Sequence, residues 1–308
     1  MDEFSLIEKY FTWKNSDLDG LGVGDDCALV VVNNQQQLAI TVDTLIEGVH
    51  FPVDTTPQDI AYKALAVNLS DLAAMGATPW YFSLALTLPR IDDQWLIGFS
   101  QSLQALAEQH NIYLIGGDTT KGALSITINA TGTLVKNQAL LRSGAKVGDN
   151  IFVSNTLGDA ALAWQQIQRQ YTPSTSLLAQ FNCPQPQVKL GQALLGVASS
   201  CIDISDGLEQ DLSHILLHSK VGASIKVNTL PLSVEVTAHI ANTQDWCVAL
   251  AGGDDYELCF TAPKTQMDAL RIIEKKLHIP ITKIGVITNE QGLKIKGLNE
   301  NCQSYRHF

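Results

Sequence analysis

Two hydrophobic periods alternate along the chain. Residues 29–32 and 37–42 are apolar or β-branched runs of strand length. Thr56-Pro57-Gln58-Asp59 then opens a helix, with Thr to cap it, Pro at its first position and an acid in the first turn. That helix reads as amphipathic to about Met75, and Gly76 suits its C-terminal stop. A strand over 81–88 is halted by Pro89, a helix covers 93–109, and strands follow at 112–115 and 124–134.

Residues 142–149 (RSGAKVGD) form a Gly- and charge-rich turn and mark the boundary between two halves, 1–137 and 138–308. Beyond it the pattern gives a strand over 150–154, a helix over 158–170 and a surface loop over 171–186 carrying three prolines, Pro173, Pro184 and Pro186. Helices at 188–198, 207–219 and 264–277 alternate with strands at 200–204 and 222–227. A terminal strand pair at 283–286 and 293–295 closes the chain. The expected class is α/β (α+β), in two domains of mixed sheets packed with helices.

Composition narrows the functional range. The chain has 308 residues, 45% of them hydrophobic, which suffices for a large core. With 20 basic against 31 acidic residues, its net charge of −11 provides no cationic footprint for nucleic acid or anionic membrane. An anionic substrate would have to arrive with divalent cations. No long apolar span and no leader-like N-terminus are evident, and none of the six cysteines forms C-x-x-C. The expectation is a cytoplasmic protein without a zinc ribbon or a disulfide framework.

Two motifs mislead. Gly20-Leu21-Gly22-Val23-Gly24 lacks the spacing of a dinucleotide loop and precedes a strand. Asn15-x-Asp17-x-Asp19-Gly20, with Asp26 at the twelfth place, fits most of a calcium loop but lacks the exiting helix. More telling is a set of aspartates near strand and helix ends: Asp25, Asp26, Asp43, Asp71, Asp118, Asp203, Asp206, Asp254 and Asp255. Singly, each reads as a cap or turn residue, and Asp206 could cap the helix after Gly207. Asp71 differs, because it lies amid Ala and Leu, where a carboxylate needs a partner and a cation is the simplest one. As a set they suggest phosphate chemistry through Mg²⁺, without a G-x-x-x-x-G-K-[ST] loop or a protein-kinase H-R-D/D-F-G set.

A family resemblance emerges from the longer motifs. Gly24-Asp25-Asp26-Cys27-Ala28, Thr41-Val42-Asp43-Thr44-Leu45 and Ala66-Val67-Asn68-Leu69-Ser70-Asp71-Leu72-Ala73-Ala74-Met75-Gly76-Ala77 resemble successive signatures of the bacterial thiamine-monophosphate kinases. So do Gly116-Gly117-Asp118-Thr119-Thr120, Arg142-Ser143-Gly144-Ala145, Asp203-Ile204-Ser205-Asp206-Gly207-Leu208 and Gly253-Asp254-Asp255-Tyr256-Glu257-Leu258, in family order. The resemblance implies the two-domain fold of aminoimidazole ribonucleotide synthetase and selenophosphate synthetase. It also implies a homodimer joined through the N-terminal domains, and transfer of phosphate from ATP to thiamine phosphate.

By the same resemblance, Asp26, Thr41, Val42 (through its carbonyl), Asp43, Asp71, Asp118, Asp203 and Asp206 would hold several Mg²⁺ ions, with Asp25 in support. K⁺ is a candidate helper ion. ATP would meet Gly117, Asp118, Arg142 and Ser205; thiamine phosphate would meet His50, Asp254 and Tyr305. Where relatives are expected to carry Glu, Asp254 is one methylene shorter. A phosphate monoester, with a second pKa of about 6, is already anionic at neutral pH, so no general base is needed. Direct in-line transfer is expected, with Asp43, Asp71 and the Arg142 fork as the catalytic groups. The alternatives are a related ATP-dependent synthetase and, in another class, a non-catalytic calcium-binding protein. Selenide chemistry is disfavoured because the first cysteine, Cys27, lies inside the Gly-Asp-Asp motif.

Overall fold

The computed structural model describes residues 20–21, 28–31, 35–298 and 302. The candidate calcium ligands Asn15, Asp17, Asp19 and Asp26, together with Asp25 and Tyr305, lie outside the described residues. Two six-stranded mixed sheets organise the rest. The first has the order β1-β2-β3-β6-β4-β5, built from β1 (Gly20–Leu21), β2 (Ala28–Val31), β3 (Gln36–Ile46), β4 (Thr78–Leu88), β5 (Tyr113–Lys121) and β6 (Ser125–Val135). Its pairings are antiparallel except β4 with β5, which are parallel and joined through helix α2 (Asp93–His110).

The second sheet has the order β12-β9-β11-β7-β10-β8. Its strands are β7 (Asn150–Ser154), β8 (Ser200–Asp203), β9 (Gly222–Lys226), β10 (Leu258–Ala262), β11 (Ile281–Thr288) and β12 (Gly292–Lys296). The last two do not pair with each other as the sequence suggested. β9 lies between them, antiparallel to β11 and parallel to β12. The three residues that separate β11 from β12 look like a hairpin connection locally, and only tertiary pairing decides otherwise.

Helix α1 (Pro57–Ala74) links the two sheets. Thr56 Oγ1 accepts the Asp59 N–H at 3.2 Å and Pro57 stands in the first turn, as expected. The helix is not amphipathic, however. Its Leu65, Leu69, Leu72 and Ala73 are sealed on one side while Ala66, Asn68 and Ser70 are sealed on others, because elements of both sheets pack around it. One hydrophobic cluster therefore continues from Phe82, Ile126 and Ile128 of the first sheet through Leu65 and Leu69 to Phe260 and Ala262 of β10.

The second half carries helices α3 (Asp159–Gln168), α4 (Thr175–Asn182), α5 (Val188–Leu194), α6 (Leu208–Ser219), α7 (Val234–Thr243), α8 (Cys247–Leu250) and α9 (Met267–Leu277). The 171–186 segment is thus not all loop. Ser174 Oγ accepts the Leu177 N–H at 3.3 Å, and α4 buries Leu177 and Phe181. The cysteine expectation also needs correction, because Cys247 and Cys302 form a disulfide across 55 positions. Spacing could not reveal it, since contact depends on the chain after β12 returning to α8. No described helix is long and apolar enough to cross a membrane.

Candidate active site

The end of β3 and the loops after β8 and before β10 line a cavity of about 580 Å³. Val42, Asp43, His50, Ser205, Asp206 and Asp254, named from sequence, all face it, along with Trp164, Phe181 and Tyr256, which were not. Strand alternation puts Asp43 on the same side of β3 as Thr41, toward α1. Its carboxyl hydrogen-bonds with that of Asp71 from α1, and Thr41 Oγ1 donates a short hydrogen bond to Asp71 Oδ2. Desolvation pushes Asp43 up to about 6, while its bond with Asp71 pulls the other way.

Two carboxyls in hydrogen-bond contact need either a shared proton or a cation. The hard oxygen set of Asp43, Asp71 and Thr41 fits Mg²⁺, which commonly takes one or two protein carboxylates and completes its shell with water and phosphate. Asn68, three residues before Asp71, buries an Oδ1 atom with no hydrogen-bond partner among the described residues. Yet no three His, Cys, Asp or Glu side chains among the described residues already stand as a metal cage. The residues suit a cation that arrives with its phosphate.

Asp203 is buried at the end of β8 and accepts a 2.7 Å hydrogen bond from Ser70 Oγ of α1. Asp206 does not cap the following helix. Asp211 Oδ2 accepts the N–H groups of Asp206 and Gly207, both at 3.1 Å, leaving the Asp206 carboxylate at the cavity with Gln210 Nε2 at 2.8 Å. Gly253 has φ +69°, and a Cβ there would lie 2.5 Å from Ser205 O. Glycine thus allows the two loops to join, through Asp254 N–H to Ser205 O and Tyr256 N–H to Ile204 O, both 2.8 Å. Asp254 follows in the left-handed region with φ 61°, a conformation Asp tolerates better than most residues.

His50 sits in the turn after β3. Its Nδ1 accepts the Ile46 N–H at 3.0 Å, which leaves Nε2 to carry the proton of the neutral ring. Across the cavity Trp164 stacks on Phe181, with ring centroids 5.7 Å apart and planes 14° from parallel. The Tyr256 hydroxyl donates to Asp254 Oδ1 at 3.1 Å, and burial pushes its phenol well above its ordinary value.

Six expected residues do not line this cavity: Thr41, Asp71 and Asp203, described above, and Gly117, Asp118 and Arg142. Gly117 and Asp118 stand on β5, the edge strand, where Gly117 pairs with Leu84. A Cβ at Gly117 would lie 1.8 Å from Leu84 O, so strand packing alone demands glycine there. Arg142 lies toward the opposite end of β8, its carbonyl accepting from Ser219 Oγ at 3.2 Å. Sequence reasoning missed the aromatic wall, since Trp164 and Phe181 look like ordinary core positions of their helices.

The two mixed sheets joined through α1 place the chain in a broad fold class. The AIR synthase related protein N-terminal domain family matches residues 24–134. Over the full chain, the thiamine-monophosphate kinase of Haemophilus influenzae is 49% identical, covering 95% of this chain and 91% of that protein. The crystal structure of thiamine-monophosphate kinase from Stenotrophomonas maltophilia K279a superposes with TM-score 0.83 at 45% identity, over 91% of this chain and 92% of that one. A structure described as AaThiL complexed with AMPPCP and TMP gives TM-score 0.86 at 29% identity, over 100% and 97%. This chain belongs to the thiamine-monophosphate kinase family.

Proposed function

We propose that this protein transfers the γ-phosphoryl group of ATP to thiamine monophosphate, giving ADP and thiamine diphosphate. The observation that carries this reading is one cavity in which Asp43, backed by Asp71, faces Trp164, Asp254 and His50, in a chain of this family. The acceptor phosphate is mostly dianionic at neutral pH, given a second pKa of about 6, and attacks without a general base. Asp43, Asp71 and Thr41 would hold Mg²⁺, with Asp203 and Asp206 on the facing loop as further candidate ligands. Bound there, it would supply the positive charge that lets two phosphates approach in line. Asp254 and His50 orient the ring-bearing half of the acceptor, and the Trp164–Phe181 wall excludes water around it. Arg142, Gly117, Asp118 and Ser205 remain the assignments for ATP. Asp25 and Asp26 would complete the metal side, and Tyr305 the substrate side.

We also infer a homodimer. β5 is the free edge of its sheet, exposed throughout, with Tyr113, Leu114 and Ile115 each more than half exposed. A second copy is the natural cover for such an edge. It would also shelter Gly117 and Asp118. Residence in the cytoplasm follows from the need for ATP, and a K⁺ requirement is tested by replacing K⁺ with Na⁺ in the assay.

The deciding experiment incubates the protein with ATP, Mg²⁺ and thiamine monophosphate and measures thiamine diphosphate by chromatography. Absence of product across a range of Mg²⁺ overturns the reading. A chirally labelled γ-thiophosphate should appear in the product with inverted configuration, the mark of one in-line step. Retention would require two displacements and a phosphorylated side chain.

A further inference from the structure

Lys63 lies on α1, and its side chain is only 3% exposed. Lysine is among the residues least often buried, because its charge loses water and must find other partners. Here it finds three, each from a different stretch of chain. Its Nζ is 2.9 Å from Asp254 Oδ2 and donates to the carbonyl of His50 at 3.4 Å. It also stands 3.9 Å from the centroid of the Phe181 ring, a cation–π distance.

These partners meet at the cavity. Asp254, His50 and Phe181 all line it, while Lys63 sits behind them. One oxygen of Asp254 is engaged by Lys63 and the other by the Tyr256 hydroxyl at 3.1 Å. The carboxylate is therefore held from both sides, on a backbone already in the left-handed region. Stability alone accounts poorly for such an arrangement, since burying the Lys63 ammonium loses its hydration while the Asp254 side chain remains 34% exposed. Orientation accounts for it well. A short Asp side chain reaches less far than Glu, and fixing its direction offsets the lost reach.

We propose that Lys63 is a positioning residue for the acceptor substrate, locking the Asp254 carboxylate and the His50 turn, which come from opposite halves of the chain, into one recognition surface. The proposal rests on reading this cavity as the thiamine monophosphate site. The contacts of Lys63 are to Asp254, His50 and Phe181, so its influence falls on acceptor binding rather than on the chemical step.

The test compares wild type with Lys63→Met, Lys63→Arg, Asp254→Asn and the Lys63→Met/Asp254→Asn double variant. It measures kcat, both KM values, acceptor affinity by calorimetry and the thermal midpoint. Lys63→Met should raise KM and Kd for thiamine monophosphate about tenfold or more, with kcat and the KM for ATP within about threefold. The double variant should be no worse than the poorer single variant, because the two residues act as one unit. Lys63→Arg keeps the charge and most of the apolar stem, so it serves if Lys63→Met fails to fold, and it should recover part of the acceptor affinity. Equal rises in both KM values, multiplicative effects in the double variant, or unchanged acceptor affinity in both Lys63 variants would overturn the proposal. Wild type that makes no thiamine diphosphate would instead overturn the substrate reading on which it rests.

Discussion

Two groups of acids in this molecule experience the same desolvation and differ in what satisfies them. At the cavity, Asp43 is pushed up to about 6 and lies against Asp71, so one carboxyl leans on another. Behind the cavity, burial pushes Glu257 up to about 7 and Asp255 well above the ordinary range. Yet Glu257 takes hydrogen bonds from the Ser154 hydroxyl, from Asn155 Nδ2 at 3.0 Å and from Gln187 Nε2 at 3.2 Å. Asp255 accepts the Gly158 N–H at 2.8 Å, and Asp159 accepts the Thr156 hydroxyl at 2.7 Å. A shifted pKa therefore does not by itself separate the proposed metal-side carboxylates from the structural ones. The distinguishing feature is the company each keeps: Asp43 lies against a second carboxyl, that of Asp71, whereas Glu257 is surrounded by neutral donors.

The largest effect should come from breaking up that carboxyl pair. Asp71→Asn and Asp43→Asn are each expected to lower kcat by about 100-fold or more, the scale of losing one electrostatic stabiliser of a transition state. Each should leave the thermal midpoint within a few degrees of wild type, and raised Mg²⁺ should restore part of the rate. Turnover close to wild type at modest Mg²⁺ would remove that residue from the ligand set. Glu257→Ala should do the reverse. It strands the Ser154 hydroxyl and two side-chain amides in a buried site, a loss of about 2–4 kcal/mol of stability. Activity per folded molecule should persist. If the activity collapses while the melting curve does not move, the contrast between the two groups fails.

How far this contrast could be read from sequence depends on the range of the interaction. Thr56 and Pro57 announced α1 because capping is local, and Asp71 stood out because a carboxylate within an Ala- and Leu-rich run is anomalous. Lys63, between Tyr62 and Ala64, was the same kind of anomaly, a charge inside an apolar helix, and could have been noticed by the same argument. The pairing of Lys63 with Asp254 spans 191 positions, and no periodicity carries such information. β5 outran its expected end because Gly116-Gly117-Asp118-Thr119-Thr120 reads as a turn, while pairing to β4 holds it extended. Helix α4 was hidden by flanking prolines, which bound it rather than break it. The aromatic wall and the Cys247–Cys302 bridge were illegible because both are made by tertiary approach.

The smallest expected effect sharpens the comparison most, because it isolates one proton. Glu257 carries a raised folded-state pKa of about 7 against an ordinary 4.5. Between those values the native protein holds a proton that the unfolded chain releases. The stability this group contributes is therefore complete below about pH 4.5 and is lost as pH rises through 7. Glutamine at this position mimics the protonated acid. Its Oε1 can keep accepting from Asn155 and Gln187, and the Ser154 hydroxyl, which already accepts the Leu258 N–H at 2.9 Å, can turn to accept from its Nε2–H as well. Glu257→Gln should accordingly match wild type near pH 5 and become more stable by about 1–2 kcal/mol at pH 8, as the buried charge no longer has to form. Urea unfolding at the two pH values, read as the difference between variant and wild type, cancels every other titrating group. A constant difference across that range would mean that Glu257 is already ionised at pH 5, and that its neutral donors stabilise the anion as effectively as a cation would.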